Sequence, residues 1–199
     1  VTLANVFTIA RLVLIPVFGF LWARGEAEQA LWIFVIAAVT DILDGFIARY
    51  FNQYSRLGAI LDPAADKLLL FVSYIVAALT RAVPVWLSAL VIGRDVLVAL
   101  GAGLFAWILK GRHDPEEWHP SRIGKYTMFM QSLVVALALL QAAFQLRGLR
   151  AWLPAIMFMA ACLTIASGLQ YVTIGVQALT RPRHAAPTPV SAGRTESGE

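Results

Sequence analysis

Six mostly apolar stretches, at about 6–23, 30–50, 63–80, 84–109, 124–146 and 152–178, leave this chain few ways to fold. A hydrocarbon layer about 30 Å thick takes roughly 20 apolar residues per helical crossing. Within it each backbone N–H and C=O must be paired inside the protein, so such stretches become helices. Only 14% of the 199 residues are charged and 59% are hydrophobic, against about 25% charged in soluble domains. The expected fold is therefore an all-α integral membrane protein, a bundle of six transmembrane helices forming one domain over residues 1–180. From Arg181 to Glu199 the sequence turns to Pro, Ala, Ser, Thr and Gly. That tail is expected to be disordered and cytoplasmic, because it has too little apolar surface to offset the entropy of ordering.

Six crossings put both termini on one side. Placing them in the cytoplasm sets Arg49, Arg56, Lys67, Lys110, Arg112, Arg122, Lys125, Arg181, Arg183 and Arg194 at or near that face, and only Arg24, Arg81, Arg147 and Arg150 opposite. The positive-inside rule favours this orientation in a cytoplasmic (inner) membrane. The net charge of +4 then reads as attraction to anionic lipid, with no nucleic-acid partner. The segment Thr8–Trp22 lacks a basic leader and a small-residue cleavage site before Gln29 and is read as the first crossing.

The stretch Asp41–Asp66, DILDGFIARYFNQYSRLGAILDPAAD, sets four acids and two arginines between crossings two and three. A central Asp or Arg costs roughly 2.5–3.5 kcal/mol on insertion scales, so such groups mark function. At about 100° per residue, Asp41, Asp44, Gly45, Ala48 and Arg49 fall within an arc of about 140° on one helix. Asp62 followed by Pro63 reads as an N-cap that opens the third helix, with Asp66 a turn further in. Two acid pairs can then converge across a short connection just inside the inner leaflet. Carboxylates this close raise one another's pKa unless a cation neutralises them. All-oxygen ligation suits Mg²⁺, Mn²⁺ or Ca²⁺, and a diphosphate would supply further oxygens. Gly45, Ala48 and Gly58 leave room for a ligand against backbone, and the planar fork of Arg49 suits a phosphate.

The pattern D-x2-D-G-x2-A-R-x8-G-x3-D-x3-D resembles the signature of the CDP-alcohol phosphotransferases, with all eight fixed positions present. The resemblance implies phospholipid head-group synthesis on two divalent ions, Mg²⁺ or Mn²⁺. By that resemblance Asp41, Asp44 and Asp62 bind metal, while Asp66 is both a metal neighbour and the general base. Asp41, Gly45, Ala48, Arg49 and Gly58 would then contact the CDP moiety. The implied reaction is attack by an acceptor hydroxyl on the β-phosphorus of CDP-diacylglycerol, displacing CMP. A homodimer is the family expectation.

Asn5, Thr8 and Arg11 recur every third residue, and family members carry a similar pattern. Two readings stay open for them: nucleotide or phosphate contact, or an interfacial cap with Arg11 snorkelling to the inner surface. Arg94 and Asp95 sit inside the fourth crossing, either as a neutralised pair joining helices or with Arg94 binding the acceptor's phosphate. Arg122 and Lys125, in PSRIGK, resemble the glycerol-phosphate-using branch; they read either as a positive-inside anchor or as completing a basic cradle for the acceptor's phosphate. Gly124 and Lys125 favour glycerol 3-phosphate as acceptor. Gly93-Arg94-Asp95-Val96, without a second Arg-Glu pair, looks more like cardiolipin synthases, whose acceptor is phosphatidylglycerol. Glycerol 3-phosphate is the expected acceptor.

Other features take plainer readings. His113 and His119 lie in the proline-bearing loop Lys110–Ile123, which could cover the site, and lack zinc-ligand spacing. Cys162 is a packed small side chain. Trp22, Trp86, Trp107 and Trp152 fit interfacial belts. A cation-coupled transporter would spread its acids along a path and often show a repeat, whereas these gather at one face.

Overall fold

In the computed structural model, backbone is described for residues 3–50, 56–108 and 122–180, and side chains for 8–41, 64–101, 103, 123–173 and 175–176. The described residues form six α-helices: α1 Leu3–Ala23, α2 Ala27–Tyr50, α3 Arg56–Leu79, α4 Val85–Ile108, α5 Arg122–Phe144 and α6 Arg147–Thr180. The loop 110–121, with His113 and His119, and the tail after Thr180 lie outside them.

The helices follow the apolar stretches, with two departures. α3 begins at Arg56, so Asp62 and Pro63 lie inside it and the N-cap reading of Asp62 is corrected. The helix-forming run Leu57–Leu61 outweighs the single backbone hydrogen bond that Pro63 removes. Asp62 and Asp66 thus stand one turn apart on one helix. α6 begins at Arg147, five residues before the expected start, and its 34 residues rise about 51 Å, well beyond one hydrocarbon layer.

α1, α3 and α5 each run into a residue with positive φ, namely Gly25 (85°), Arg81 (58°) and Gln145 (51°). These reverse the chain tightly: the N–H of Gly25 donates to Trp22 O at 3.0 Å and that of Gln145 to Gln141 O at 2.9 Å. Pro84 just precedes α4, where its missing N–H costs nothing.

α1 packs on α2 and α3, α5 on α2, α3 and α6, and α4 on α3 and α6. Phe18 anchors the core, its ring 5.6 Å from Trp22 and 5.9 Å from Phe34. Where α1 meets α3, a Cβ on Gly19 would stand 2.9 Å from Val72 Cγ1, so only glycine allows this approach.

The outward faces are apolar as well: Val13, Leu100, Phe129, Phe158 and Leu169 are all more than 60% exposed. A bundle made for water places polar residues there. Cys162 is exposed among them, which corrects its reading as a packed side chain. Among the described residues, two stretches, Ile123–Phe144 and Arg147–Thr173, are long and apolar enough to cross a membrane, and Thr8–Ala23 is apolar but shorter.

Candidate active site at the junction of α1, α2 and α3

All eight positions of the acid-rich pattern fall on two helices, Asp41, Asp44, Gly45, Ala48 and Arg49 on α2 and Gly58, Asp62 and Asp66 on α3. Between them stands a residue from α1. Arg11 is 1% exposed, and its Nη1 lies 2.5 Å from Asp41 Oδ1 and 3.0 Å from Asp66 Oδ1. Both carboxylates keep over a third of their surface open, at 39% and 38%. One nitrogen therefore ties the first and last acids together while a side of each stays reachable.

This geometry corrects one alternative. Arg11 does not snorkel; it is buried and paired, with Thr8 buried one turn before it. A guanidinium buried in such a bundle requires compensating carboxylates, which Asp41 and Asp66 provide. The every-third-residue spacing of Asn5, Thr8 and Arg11 was the sequence signal for it. The side chains of Asn5, Asp44, Gly45, Ala48, Arg49, Gly58, Asp62 and Arg122 lie outside the described residues.

The donor set fits a hard cation. Asp41 and Asp66 present Oδ1 atoms from two helices at one nitrogen, and carboxylate oxygens of this kind would suit a hard cation. Asp44 and Asp62 lie about one helical turn from Asp41 and Asp66 respectively. Among the described residues alone, no group of three or more His, Cys, Asp or Glu comes together.

A second charged cluster joins α4 to α6. Arg94 donates from Nη1 to Asp95 Oδ1 at 2.6 Å and from Nη2 to Ser167 Oγ at 2.6 Å. Its guanidinium also stands 5.3 Å from the ring centre of Tyr171. Gly168 lies beside its stem, where a Cβ would make an ordinary contact 3.6 Å from Arg94 Cγ. Arg94 is thus neutralised as the helix-joining reading required, and its Nε remains buried without a hydrogen-bond partner. Ser167 and Gly168 are small residues of the kind that allow close helix contact, whereas Tyr171, far along the chain from Arg94, carried no sequence signal. Lys125 is exposed in the first turn of α5, and no ion pair among the described residues joins it to the Arg94 cluster.

The model of the CDP-alcohol phosphatidyltransferase family matches residues 1–173. The chain belongs to the CDP-alcohol phosphatidyltransferase family. Within this family it is 32% identical, over 85% of its length, to a cardiolipin synthase (CMP-forming)/mitochondrial hydrolase fusion protein of Schizosaccharomyces pombe, covering 30% of that protein. It is 42% identical to the human cardiolipin synthase (CMP-forming) over 49% of this chain and 33% of that one. A probable phosphatidylglycerophosphate synthase of Mycobacterium tuberculosis is 31% identical over 85% of this chain and 79% of that protein. The chain thus spans about a third of the two cardiolipin synthases. The Arg11–Asp41–Asp66 junction lies within the residues that the family model matches.

Proposed function

We propose that this chain transfers a phosphatidyl group from CDP-diacylglycerol to the hydroxyl of glycerol 3-phosphate, releasing CMP, at the inner face of a membrane that all six helices cross. The observation that carries this is the meeting of Asp41 and Asp66 at Arg11, which sets the ends of the acid pattern around one centre of positive charge. The apolar outward faces support the bilayer, and the lysine and arginine distribution supports cytoplasmic termini.

Asp41, Asp44, Asp62 and Asp66 would hold Mg²⁺ or Mn²⁺, which would neutralise the diphosphate charge. The chain's own residues do the rest. Asp66 takes the proton of the acceptor hydroxyl. That oxygen forms a bond to the β-phosphorus as the bond from β-phosphorus to the bridging oxygen breaks, and CMP leaves with the electron pair. Such transfers depend chiefly on alignment and charge compensation. Gly45, Ala48 and Gly58 give the cytidine nucleotide access to backbone, Arg49 its phosphate contact, and Asn5 and Thr8 flank it from α1. Arg94, Arg122 and Lys125 bind the acceptor phosphate.

A second acceptor, phosphatidylglycerol, is favoured by the 42% identity to the human cardiolipin synthase and by the absence of a second Arg-Glu pair. Purified protein with Mg²⁺ and CDP-diacylglycerol is expected to release CMP when glycerol 3-phosphate is added. Release only with phosphatidylglycerol establishes the second acceptor, and release with neither overturns both.

A further inference from the structure

At the end of the bundle away from the acids lies a cavity of about 830 Å³. Along α2 the rise from Ala27, which lines it, to Asp41 is about 21 Å, so the two sites are separate. Its polar lining comprises Thr80, Arg81, Gln141, Gln145 and Arg150, with no carboxylate among the lining residues. Trp22, Val83, Leu153 and Met157 supply buried apolar wall. The nearest acid in sequence, Glu26, is exposed.

Two features give the cavity a chemistry. Arg81 and Arg150 are both exposed, and no ion pair to either is found among the described residues, so two positive charges stand at an opening that nothing in the lining neutralises. Exposed apolar side chains stand close by in the chain: Val85, in the lining, is 67% exposed, and Leu79 and Trp152, each next in sequence to a lining residue, are 74% and 70% exposed. The tight turns gather here too, since all three positive-φ residues of the described chain, Gly25, Arg81 and Gln145, line this cavity.

We propose that this cavity is a second lipid site, seating an anionic glycerophospholipid from the leaflet opposite the acids. Its phosphate meets Arg81 and Arg150, and its acyl chains leave over the apolar side of the opening. That apolar side is what selects a lipid over free phosphate, and the volume falls within the range of small-molecule sites. The inference rests on the membrane-crossing reading proposed above and not on the reaction.

The test uses the full chain in neutral detergent with phosphatidylglycerol or phosphatidylcholine carrying identical chains and a diazirine near the headgroup, or with inorganic phosphate. Native mass spectrometry is expected to show one phosphatidylglycerol held at least about fivefold tighter than phosphatidylcholine, a difference of about 1 kcal/mol. Its crosslinks should map to 78–85 and 138–157. R81Q/R150Q should lose the preference and R81K/R150K should keep it, while millimolar phosphate does not compete. Crosslinks confined to the acid end, a preference that survives R81Q/R150Q, or displacement by phosphate overturns the site. The wild-type crosslink map decides even where a variant fails to fold. CMP release measured on the same sample separates the two proposals: lipid held without CMP release sinks the enzyme reading alone, and CMP release without crosslinks at 78–85 or 138–157 sinks the cavity alone.

Discussion

Arg11 of α1 lies 3.0 Å from Asp66 of α3, and the same nitrogen touches Asp41 of α2. A cation fixed in the first helix thus holds the first and last acids of the pattern in place. Arg11→Gln leaves two carboxylates facing each other without it. The metal-free variant is expected to lose about 1–3 kcal/mol, the range for stranding partners of a charged hydrogen bond. Saturating Mg²⁺ should narrow that loss, since an ion bound between the acids replaces the missing charge. Thermal unfolding with and without Mg²⁺ reads both effects; equal losses in the two conditions contradict the arrangement.

Arg94 separates a structural role from a substrate role. Ser167→Ala removes one of its hydrogen bonds and should cost about 1 kcal/mol of stability with little kinetic change. Arg94→Lys keeps the charge but loses the planar fork. If Arg94 binds the acceptor phosphate, steady-state kinetics should show acceptor KM raised about tenfold, equivalent to ~1.4 kcal/mol, with kcat changed less.

Gly19→Ala sets two effects against each other. Alanine gains at most about 1 kcal/mol in helix propensity, but its Cβ would lie 2.9 Å from Val72 Cγ1. A β-branched neighbour has little freedom to move, and overpacking costs about 1–3 kcal/mol. Net destabilisation is expected, with recovery in Gly19→Ala/Val72→Ala because the residues touch. Chemical denaturation of the wild type, both single variants and the double variant checks the coupling.

Thr164 accepts from Gln131 Nε2 at 3.1 Å in a region where both are fully buried, and Gln131 Oε1 already lacks a partner. Thr164→Val strands Gln131 completely and should cost about 1–3 kcal/mol. The double change with Gln131→Leu removes the stranded groups and should restore most of it, as melting temperatures would show.

Much of the fold was legible because long apolar stretches pair their backbone groups within helices, which placed all six described helices but not the starts of α3 and α6. The start of α3 was misread because Asp62-Pro63 is a local signal, while continuation from Arg56 depends on the residues ahead of it. The acid pattern was legible as spacing along two helices. Its closure by Arg11 was only half visible, since pairing between positions 11 and 66 needs the packing of α1 on α3. Tyr171 beside Arg94, and the cavity formed where helix ends and tight turns gather, arise from contacts between segments far apart in sequence and leave no local trace.

The central claim is that the acids gathered under Arg11 perform phosphatidyl transfer. It is tested most directly by CMP release from CDP-diacylglycerol with Mg²⁺ and acceptor, compared between the wild-type chain and Asp66→Asn. Loss of at least about 100-fold is predicted, the lower end of general-base contributions, with the variant still folded by its melting curve. Undiminished CMP release from folded Asp66→Asn would contradict the account.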